Sequence, residues 1–461
     1  MTWKTNLTVC LCVPVFCLLI SMAEGDTAKS TCSMEMFSGD FSAYMACTTQ
    51  FALQSNWWPS PIAGLLSFQA WNSLSAFWEN GIILETYANF VAFVGNNTRY
   101  TGIIKSSNRN LSSLKQAYGS IPSFDDMAWY ALSFARIYEI FCWNEFLTNS
   151  VDVFDWLWKT AWDSNGTCGG GMWWNNGYRQ KVTITNTISL QAAGKLYRFT
   201  NDTKYLHQMH EIWGYLLRNG IVDNSTYLIH DGPTPNCTGN NFIGPTYLGG
   251  TVIGGLVEFY KIYNKNETYL DLANKIAQAE IRNSTNRSTG ILTEYCEPHC
   301  NDDQKVFKGI FVRNLRYLID VLHDGKQKEE YQRYLDNNVK GIVQYSVCDK
   351  HPIQNCNIVF KYGPPYYNES GPVFAPNWNG PFTRGSPMQQ IAALDLFISA
   401  IKPGTTCNGE FCDFNPYYPP PKPLTCNDKP CPRDQPCCNY TPSQSYTCCG
   451  SNQKCVSGIC T

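Results

Sequence analysis

The chain has 461 residues, and its 35 Lys and Arg side chains nearly balance 37 Asp and Glu, for a formal net charge of −2 at pH 7. No basic stripe interrupts this balance, so the sequence excludes nucleic acid as an expected partner. Aromatic residues make up 14% of the chain, with 14 Trp and 27 Tyr; core packing is expected to take most of them, but the pairs Trp57–Trp58 and Trp173–Trp174 lie beside Gly, Asn or Pro.

The N-terminus is typical of a cleavable signal peptide over residues 1–25. It has Lys4, an apolar run from Val9 to Ile20, and small residues at Ala23 and Gly25. The apolar run is shorter than the ~20 residues that a transmembrane helix needs. The polar C-terminus also lacks the apolar tail of a lipid-anchor signal. We therefore expect a secreted, extracellular protein with no integral membrane anchor.

The cysteines agree with this compartment, because 19 of the 22 follow the predicted signal peptide. Their odd number leaves at least one thiol unpaired or paired between chains, and Cys142 is the predicted free thiol. Eleven N-x-Ser/Thr sequons also follow the signal peptide, which predicts a secreted glycoprotein with disulfide bonds.

Residues 26–412 contain a repeat of about 60 residues, in which a helix, a short polar break and a second helix recur. The first helix of each repeat has apolar residues on more than one face, which predicts an inner layer. The predicted inner helices are 70–93, 126–141, 185–199, 249–263, 309–322 and 387–401. Helices after the breaks, such as 203–220 and 268–284, are polar on one side and are predicted to form an outer layer.

A helix near 40–57 is expected to pair with the last inner helix and close the ring. The pattern thus predicts an all-α fold, an (α/α)6 barrel of six helical hairpins in a toroid. An open solenoid is the alternative, but the variable loops favour a closed ring with functional loops on one face. Strand signals are weak, and short runs such as 227–232 and 290–296 are candidates for small hairpins in the loops.

The composition changes after the barrel. Residues 413–425 form a Pro-rich linker that we expect to be extended and semi-rigid. Residues 426–461 hold eight cysteines in a unit too small to bury an adequate apolar core, so disulfides must hold it together. This Cys-rich module is a candidate for contact with cell wall or matrix.

Asp125 and Asp126 lie in the string PSFDDMAWYALSFARIYEI, at the predicted start of an inner helix. A glycosidase needs one carboxyl to protonate the leaving oxygen and another to attack or assist at the sugar carbon. Ser123-x-x-Asp126 is also a capping box, and acids are favoured in any first helical turn. Catalysis and capping are therefore the two competing interpretations of this pair.

Several strings, in their order and spacing, resemble glycoside hydrolase family 76, the endo-α-1,6-mannanase family that includes fungal cell-wall transglycosylases. They are FDDMAWYALSFARIYEI, GGGMWWN, ITNTISLQAAGKLYRFTNDTKYL, TYLGGTVIGGLVEFY and FKGIFVRNL, with WENG at 78–81 similar to a motif of fungal members. The resemblance runs from about Trp71 to Ile401. It covers neither the linker nor the Cys-rich module.

The resemblance implies a retaining mechanism, with Asp125 as nucleophile and Asp126 as acid/base. The residue physics is compatible, because retaining enzymes hold their carboxyls about 5–5.5 Å apart and adjacent residues reach that separation easily. Two close carboxylates also repel, which raises the pKa of one and keeps it protonated.

Each of the other substrate-binding candidates could instead have a purely structural role. Aromatic platforms could equally be core residues, Asp231 could cap a turn, and Arg313 could be an internal salt-bridge partner. The substrate-binding candidates are Trp129, Trp173, Trp174, Asn186, Asp231 and Tyr247. No cofactor or metal is expected, since the histidines form no convincing site and Cys296 and Cys300 around His299 are expected to be disulfide-bonded.

The sequence thus predicts a secreted retaining endo-α-1,6-mannanase whose partner is an α-mannan polysaccharide or oligosaccharide. One alternative is a transglycosylase acting on mannan-containing glycolipid anchors in cell-wall assembly. The other is a non-catalytic mannan-binding protein, which the intact Asp125–Asp126 pair argues against.

Overall fold

The computed structural model of the protein describes residues 32–57, 78–94, 98–107, 123–349, 356–358 and 371–407, and short strands between 425 and 460. The predicted signal peptide and all but the last residue of the predicted linker lie outside the described residues. None of the helices in these ranges is long and apolar enough to cross a lipid bilayer.

Twelve α-helices lie in the described residues. In chain order they are α1 (Phe41–Trp57), α2 (Trp78–Val94), α3 (Thr98–Ser107), α4 (Phe124–Phe141), α5 (Asn144–Ala161), α6 (Thr183–Thr200), α7 (Thr203–Arg218), α8 (Thr246–Ile262), α9 (Glu267–Ser284), α10 (Phe307–Val321), α11 (Gly325–Tyr345) and α12 (Pro387–Ser399).

The even-numbered helices form a closed inner ring. Each packs against the next, from α2 through α4, α6, α8 and α10 to α12, and α12 packs back against α2. The odd-numbered helices lie outside them, and α1 covers α12 although the two stand at opposite ends of the barrel sequence. The fold is the predicted (α/α)6 barrel, including the closure by the helix near 40–57.

Burial explains the two layers. Almost every residue of α8 from Thr246 to Tyr260 is buried, whereas α9 buries only one stripe. The inner helices also pack closely: a Cβ on Gly254 of α8 would lie 2.5 Å from the side chain of Gln191 on α6. Apolar residues on several faces with small ones between them are therefore the pattern that places a helix inside the ring.

The inner helices run parallel to one another. Near their N-terminal ends, Gly81 of α2 lies against Trp129 of α4; further along, Arg136 of α4 donates a hydrogen bond to Asn89 of α2. Side chains in the first turns therefore collect at one opening of the barrel, and all the loops that lead into inner helices surround that opening.

Buried ion pairs fill the middle and the far end of the ring. Arg313 of α10 donates to Glu85 of α2 at 2.9 Å and to Asp395 of α12 at 2.6 Å, with all three side chains at most 2% exposed. The internal salt-bridge role weighed for Arg313 is thus the one the structure shows. A second network joins α4, α6 and α8 through Glu139, Lys195, Arg198, Glu258 and Lys261.

Strands are short. β1 (Val347–Cys348) and β2 (Val373–Phe374) pair antiparallel in the loop before α12. The segments expected to form hairpins near 227–232 and 290–296 contribute only isolated bridges. In the C-terminal region the antiparallel pairs are β3 (Thr425–Cys426) with β4 (Lys429–Pro430), β5 (Cys437–Tyr440) with β6 (Ser445–Cys448), and β7 (Cys455–Val456) with β8 (Ile459–Cys460).

Disulfides lie at several places in residues 32–407. They include Cys32–Cys47, Cys168–Cys237, Cys296–Cys300 and Cys348–Cys356, and Cys407 is disulfide-bonded as well. The disulfide expected around His299 is thus confirmed. The prediction that Cys142 is the free thiol is wrong, because Cys142 is disulfide-bonded. An odd number of cysteines means that at least one has no partner within the chain, but the number does not identify that cysteine.

Candidate active site

Asp125 and Asp126 occupy the first turn of α4, at the open end of the ring. Ser123 stands at the N-cap, but its side chain makes no capping hydrogen bond, so the capping box does not form. The first amide of the helix instead donates to the backbone oxygen of Trp174, from Phe124 N at 2.7 Å. A neighbouring loop, rather than the Ser123 side chain, therefore satisfies the first amide of this helix.

That loop brings an indole onto the acid pair. Trp174 Nε1 donates to Oδ2 of Asp125 at 3.3 Å. The other oxygen of this carboxyl, Oδ1, is buried and has no hydrogen-bond partner among the described residues. The indole thus orients the Asp125 carboxylate through Oδ2, and no described residue competes for Oδ1.

Lys181 holds the loop that carries Trp173 and Trp174. It is 6% exposed, and its Nζ pairs with Asp163 at 2.7 Å and donates to the backbone oxygens of Thr167 and Gly170. The same ammonium lies 4.6 Å from the ring centre of Trp173. Because a buried ammonium is costly unless it is paired, these contacts fix the loop in one conformation.

Two further features fix the tip of this loop. Asn186 is fully buried; its Oδ1 accepts from Met172 N at 2.8 Å, and its Nδ2 donates to Met172 O and Val182 O. Gly171 has φ +93°, and a Cβ there would lie 2.5 Å from the Tyr215 ring. Asn186 was predicted to contact substrate, and the structure places its amide on the loop backbone.

The WENG segment at 78–81 forms the first turn of the neighbouring helix α2 and lies beside the acid pair. Trp78 stacks on Trp129 with ring centres 5.9 Å apart, and its Nε1 donates to Oδ1 of Asp303 at 3.2 Å. Trp129, a predicted sugar platform, is 2% exposed and packs in the core. Glu79 follows Trp78 in the first turn of α2 and is buried.

Burial is the largest influence on the acid pair, and it raises the pKa of both carboxyls. For Asp125, the backbone amides of the first helical turn and the indole of Trp174 lower the pKa and partly offset burial. For Asp126, the charges of Asp125, Glu79 and Asp303 raise the pKa further. Asp126 therefore has the higher pKa of the two and keeps its proton when Asp125 is ionised.

Tyr247 lies in the first turn of α8, and Asp231 lies in the loop that precedes this helix, on the same side of the opening. Tyr247 stacks on Phe307 with ring centres 3.9 Å apart. Its pKa is raised well above the ordinary value by burial and then by the negative charges of Asp231 and Asp125. The half-buried Asp231 also has a raised pKa, caused by burial. Both predicted residues thus share an electrostatic environment with Asp125.

Sequence reasoning missed the residues that support the pair. Glu79 lies in the WENG segment, and an acid in the first turn of one inner helix, like the acids in the first turn of the next, is a signal that the sequence does carry. Asp303 and Lys181 carry no such signal, since each lies in a short polar segment between α-helices. Their roles depend on which loops meet at the opening.

The model of the family described as "Glycosyl hydrolase family 76" matches residues 29–401. Mannan endo-1,6-alpha-mannosidase DFG5 of Saccharomyces cerevisiae is 34% identical over 166 residues, which cover 34% of this chain and 36% of that protein. Mannan endo-1,6-alpha-mannosidase DCW1 of Candida glabrata is 29% identical over 225 residues, 44% of this chain and 48% of that protein. The chain thus matches less than half the length of either relative.

Solved structures share the fold. The α-1,6-mannanase GH76A of Salegentibacter sp. HEL1_6, an inactive variant with two adjacent aspartates changed to asparagine and in complex with α-1,6-mannotriose, superimposes with a TM-score of 0.64 at 18% identity, covering 78% of this chain and 99% of that one. Dfg5 from Chaetomium thermophilum in complex with glucosamine gives a TM-score of 0.57 at 18% identity, covering 82% and 94%. With the family model matched across most of the sequence, the chain belongs to glycosyl hydrolase family 76.

Proposed function

We propose that this protein is a secreted endo-α-1,6-mannosidase that cleaves α-1,6-mannosidic bonds of mannan or mannosylated glycans with retention of configuration. The observation that carries the proposal is the pair Asp125 and Asp126 at the open end of the barrel, with unequal environments. Family membership, the names of the fungal relatives and the mannotriose complex of a mannanase with the same fold support the choice of linkage.

In the first step, a carboxylate oxygen of Asp125 attacks the anomeric carbon of the bound mannose. The glycosidic C–O bond breaks, and Asp126 gives its proton to the departing oxygen. The product is a covalent mannosyl ester on Asp125 with inverted configuration. In the second step, Asp126, now ionised, takes a proton from water as the water attacks the same carbon, which restores the α configuration and both carboxyls.

The contacts of each carboxyl suit its step. Asp125 has Oδ2 held by the Trp174 indole and Oδ1 without a partner among the described residues, as a nucleophile requires. Asp126 lies among the negative charges that raise its pKa, as a general acid requires. A sugar hydroxyl in place of water in the second step would give transglycosylation from the same intermediate.

Glu79→Gln should move the basic limb of the pH profile to lower pH. The charge of Glu79 raises the pKa of Asp126, so removing that charge lowers this pKa. The protonated acid is then lost at a lower pH as the pH rises, and kcat/KM falls earlier. The profile of kcat/KM on α-1,6-mannohexaose reports these free-enzyme values.

The matched control is Glu145→Gln, which removes a charge from an exposed site in the first turn of α5. It should leave the profile unchanged. A folded Glu79→Gln variant whose basic limb stays at the parental pH would contradict the role given to Glu79.

The function itself is tested by incubating the protein with linear α-1,6-mannan and with α-1,6-mannobiose to mannohexaose, followed by mass analysis. We expect shorter products from mannan and from every oligosaccharide, with mannobiose cleaved most slowly, to mannose. Products longer than the substrate would identify transfer to a sugar acceptor. Binding without any product would contradict the enzymatic proposal and favour a mannan-binding protein.

Secretion is part of the proposal. It is supported by the disulfides between described residues, which form in oxidising compartments, and by the apolar N-terminal segment. We assign residues 26–412 to the catalytic domain and 426–461 to a Cys-rich module that contacts wall or matrix material. The antiparallel hairpins of that module suit a small disulfide-held unit.

A further inference from the structure

Two large aromatic side chains are exposed together in the loops around the opening. Phe242 is 46% exposed and Tyr295 is 54% exposed, and their rings meet edge to face with centres 5.5 Å apart and planes at 83°. Single exposed aromatic side chains are ordinary on a protein surface. Phe242 and Tyr295 together form an apolar corner, and a ligand that covers this corner removes apolar surface from water, which favours binding.

The loops around the pair fix its geometry. The hydroxyl of Tyr295 accepts a hydrogen bond from Gln304 Nε2 at 2.8 Å, and Gln304 is held in turn by two reciprocal hydrogen bonds with Asn301. Phe242 N donates to Asn240 Oδ1 at 3.1 Å, and Phe242 O accepts from Asp231 N. A corner that is already ordered loses little conformational entropy on binding.

The corner adjoins the residues beside the acid pair. Tyr295 N donates to Oε1 of Glu294, and the other oxygen of Glu294 accepts from Thr246 Oγ1 at 2.6 Å, directly before Tyr247. On the other loop, Phe242 is bonded through its backbone to Asp231. The charges of Asp231 and Asp125 both raise the pKa of Tyr247, so Tyr247 lies near both carboxyls. Neighbouring residues therefore connect Asp125 with the pair Phe242 and Tyr295.

We infer that Phe242 and Tyr295 form a distal sugar-binding subsite, which holds a mannose of the α-1,6-mannan chain away from the bond that is cleaved. One ring meets the apolar face of the pyranose and the other meets its edge, while Asp231 accepts hydrogen bonds from its hydroxyls. This inference rests on the proposed function and assigns the enzyme a preference for long chains.

The test compares kcat/KM on α-1,6-mannobiose and α-1,6-mannohexaose for Phe242→Ala, Tyr295→Ala and the double variant. We expect each single change to lower kcat/KM on mannohexaose by about tenfold, since an aromatic contact of about 1.4 kcal/mol corresponds to that factor. The value for mannobiose should stay at the parental level. Tyr263→Ala is the control, since Tyr263 is an exposed tyrosine at the C-terminal end of α8, opposite the opening.

An equal loss on both substrates would assign the pair a structural role and overturn the inference, and so would no loss on mannohexaose. Calorimetric binding of mannohexaose to the Asp126→Asn chain, with and without Phe242→Ala, separates this inference from the proposed function. If the parent binds mannohexaose but cleaves nothing, the proposed enzyme fails, and a tenfold weaker affinity in the variant still supports the subsite.

Discussion

Asp125→Asn and Asp126→Asn should each lower kcat on α-1,6-mannan by at least ~10³-fold while the barrel stays folded. General acid and base catalysis alone contributes about 10²–10⁴-fold, and removal of a nucleophile costs more. The first amide of α4, Phe124 N, donates to the backbone oxygen of Trp174, and asparagine keeps a side-chain oxygen near the amides that follow, so neither substitution uncaps the helix. The rates are measured by release of reducing ends, and the fold by circular dichroism.

The two variants should differ on a substrate with a good leaving group. An aryl α-mannoside needs no proton on its departing oxygen, so Asp126→Asn should regain the first step, whereas Asp125→Asn should not. Asp271→Asn, at an exposed site on α9, is the control and should keep parental activity. Near-parental turnover of mannan by either active-site variant would refute the assignment. Unfolding of both variants would indicate that the pair has a structural role.

Arg313→Met should lower the free energy of unfolding by about 3–5 kcal/mol, the range seen when one partner of a buried ion pair is removed. The change leaves Glu85 and Asp395 buried without their shared cation. Denaturant titration at pH 7 measures the loss. Lys204→Met removes an exposed ion pair, with side chains 44% and 41% exposed, and should change stability by less than about 1 kcal/mol.

The loss should also depend on pH. Burial raises the pKa of Asp395 to about 6 even beside Arg313, and removing the arginine raises it further. The folded variant then binds a proton that the unfolded chain releases near pH 4. Stability of the variant should therefore fall further below that of the parent as the pH rises from 6 to 8. An equal deficit across this range would mean that Asp395 does not take up the proton.

The barrel could be predicted from sequence because its signals are local and repeated. The helix predicted at 126–141 begins at Phe124, and the one at 249–263 begins at Thr246. Apolar residues on several faces indicate an inner helix, and the glycines of α8 indicate close contact with the neighbouring helices. The ends of these helices can be predicted within a few residues because the polar breaks that follow most of them carry turn-forming residues.

Which side chain reaches the opening could not be predicted in the same way. Trp129 lies one helical turn from Asp126 and Asn186 lies in the first turn of α6, yet one packs in the core and the other holds the loop at Met172. Helical phase within a turn, and the partner supplied by a distant loop, decide the difference. Glu79 and Asp303 reach Asp126 from two other parts of the chain, a proximity that only the closed ring creates.

Proton NMR of the first products released from linear α-1,6-mannan tests the central claim most directly. The account predicts that the new reducing-end mannose appears as the α-anomer and reaches the equilibrium mixture only later, by mutarotation. Initial appearance of the β-anomer would show inversion, which would remove Asp125 as the nucleophile and contradict the double-displacement mechanism.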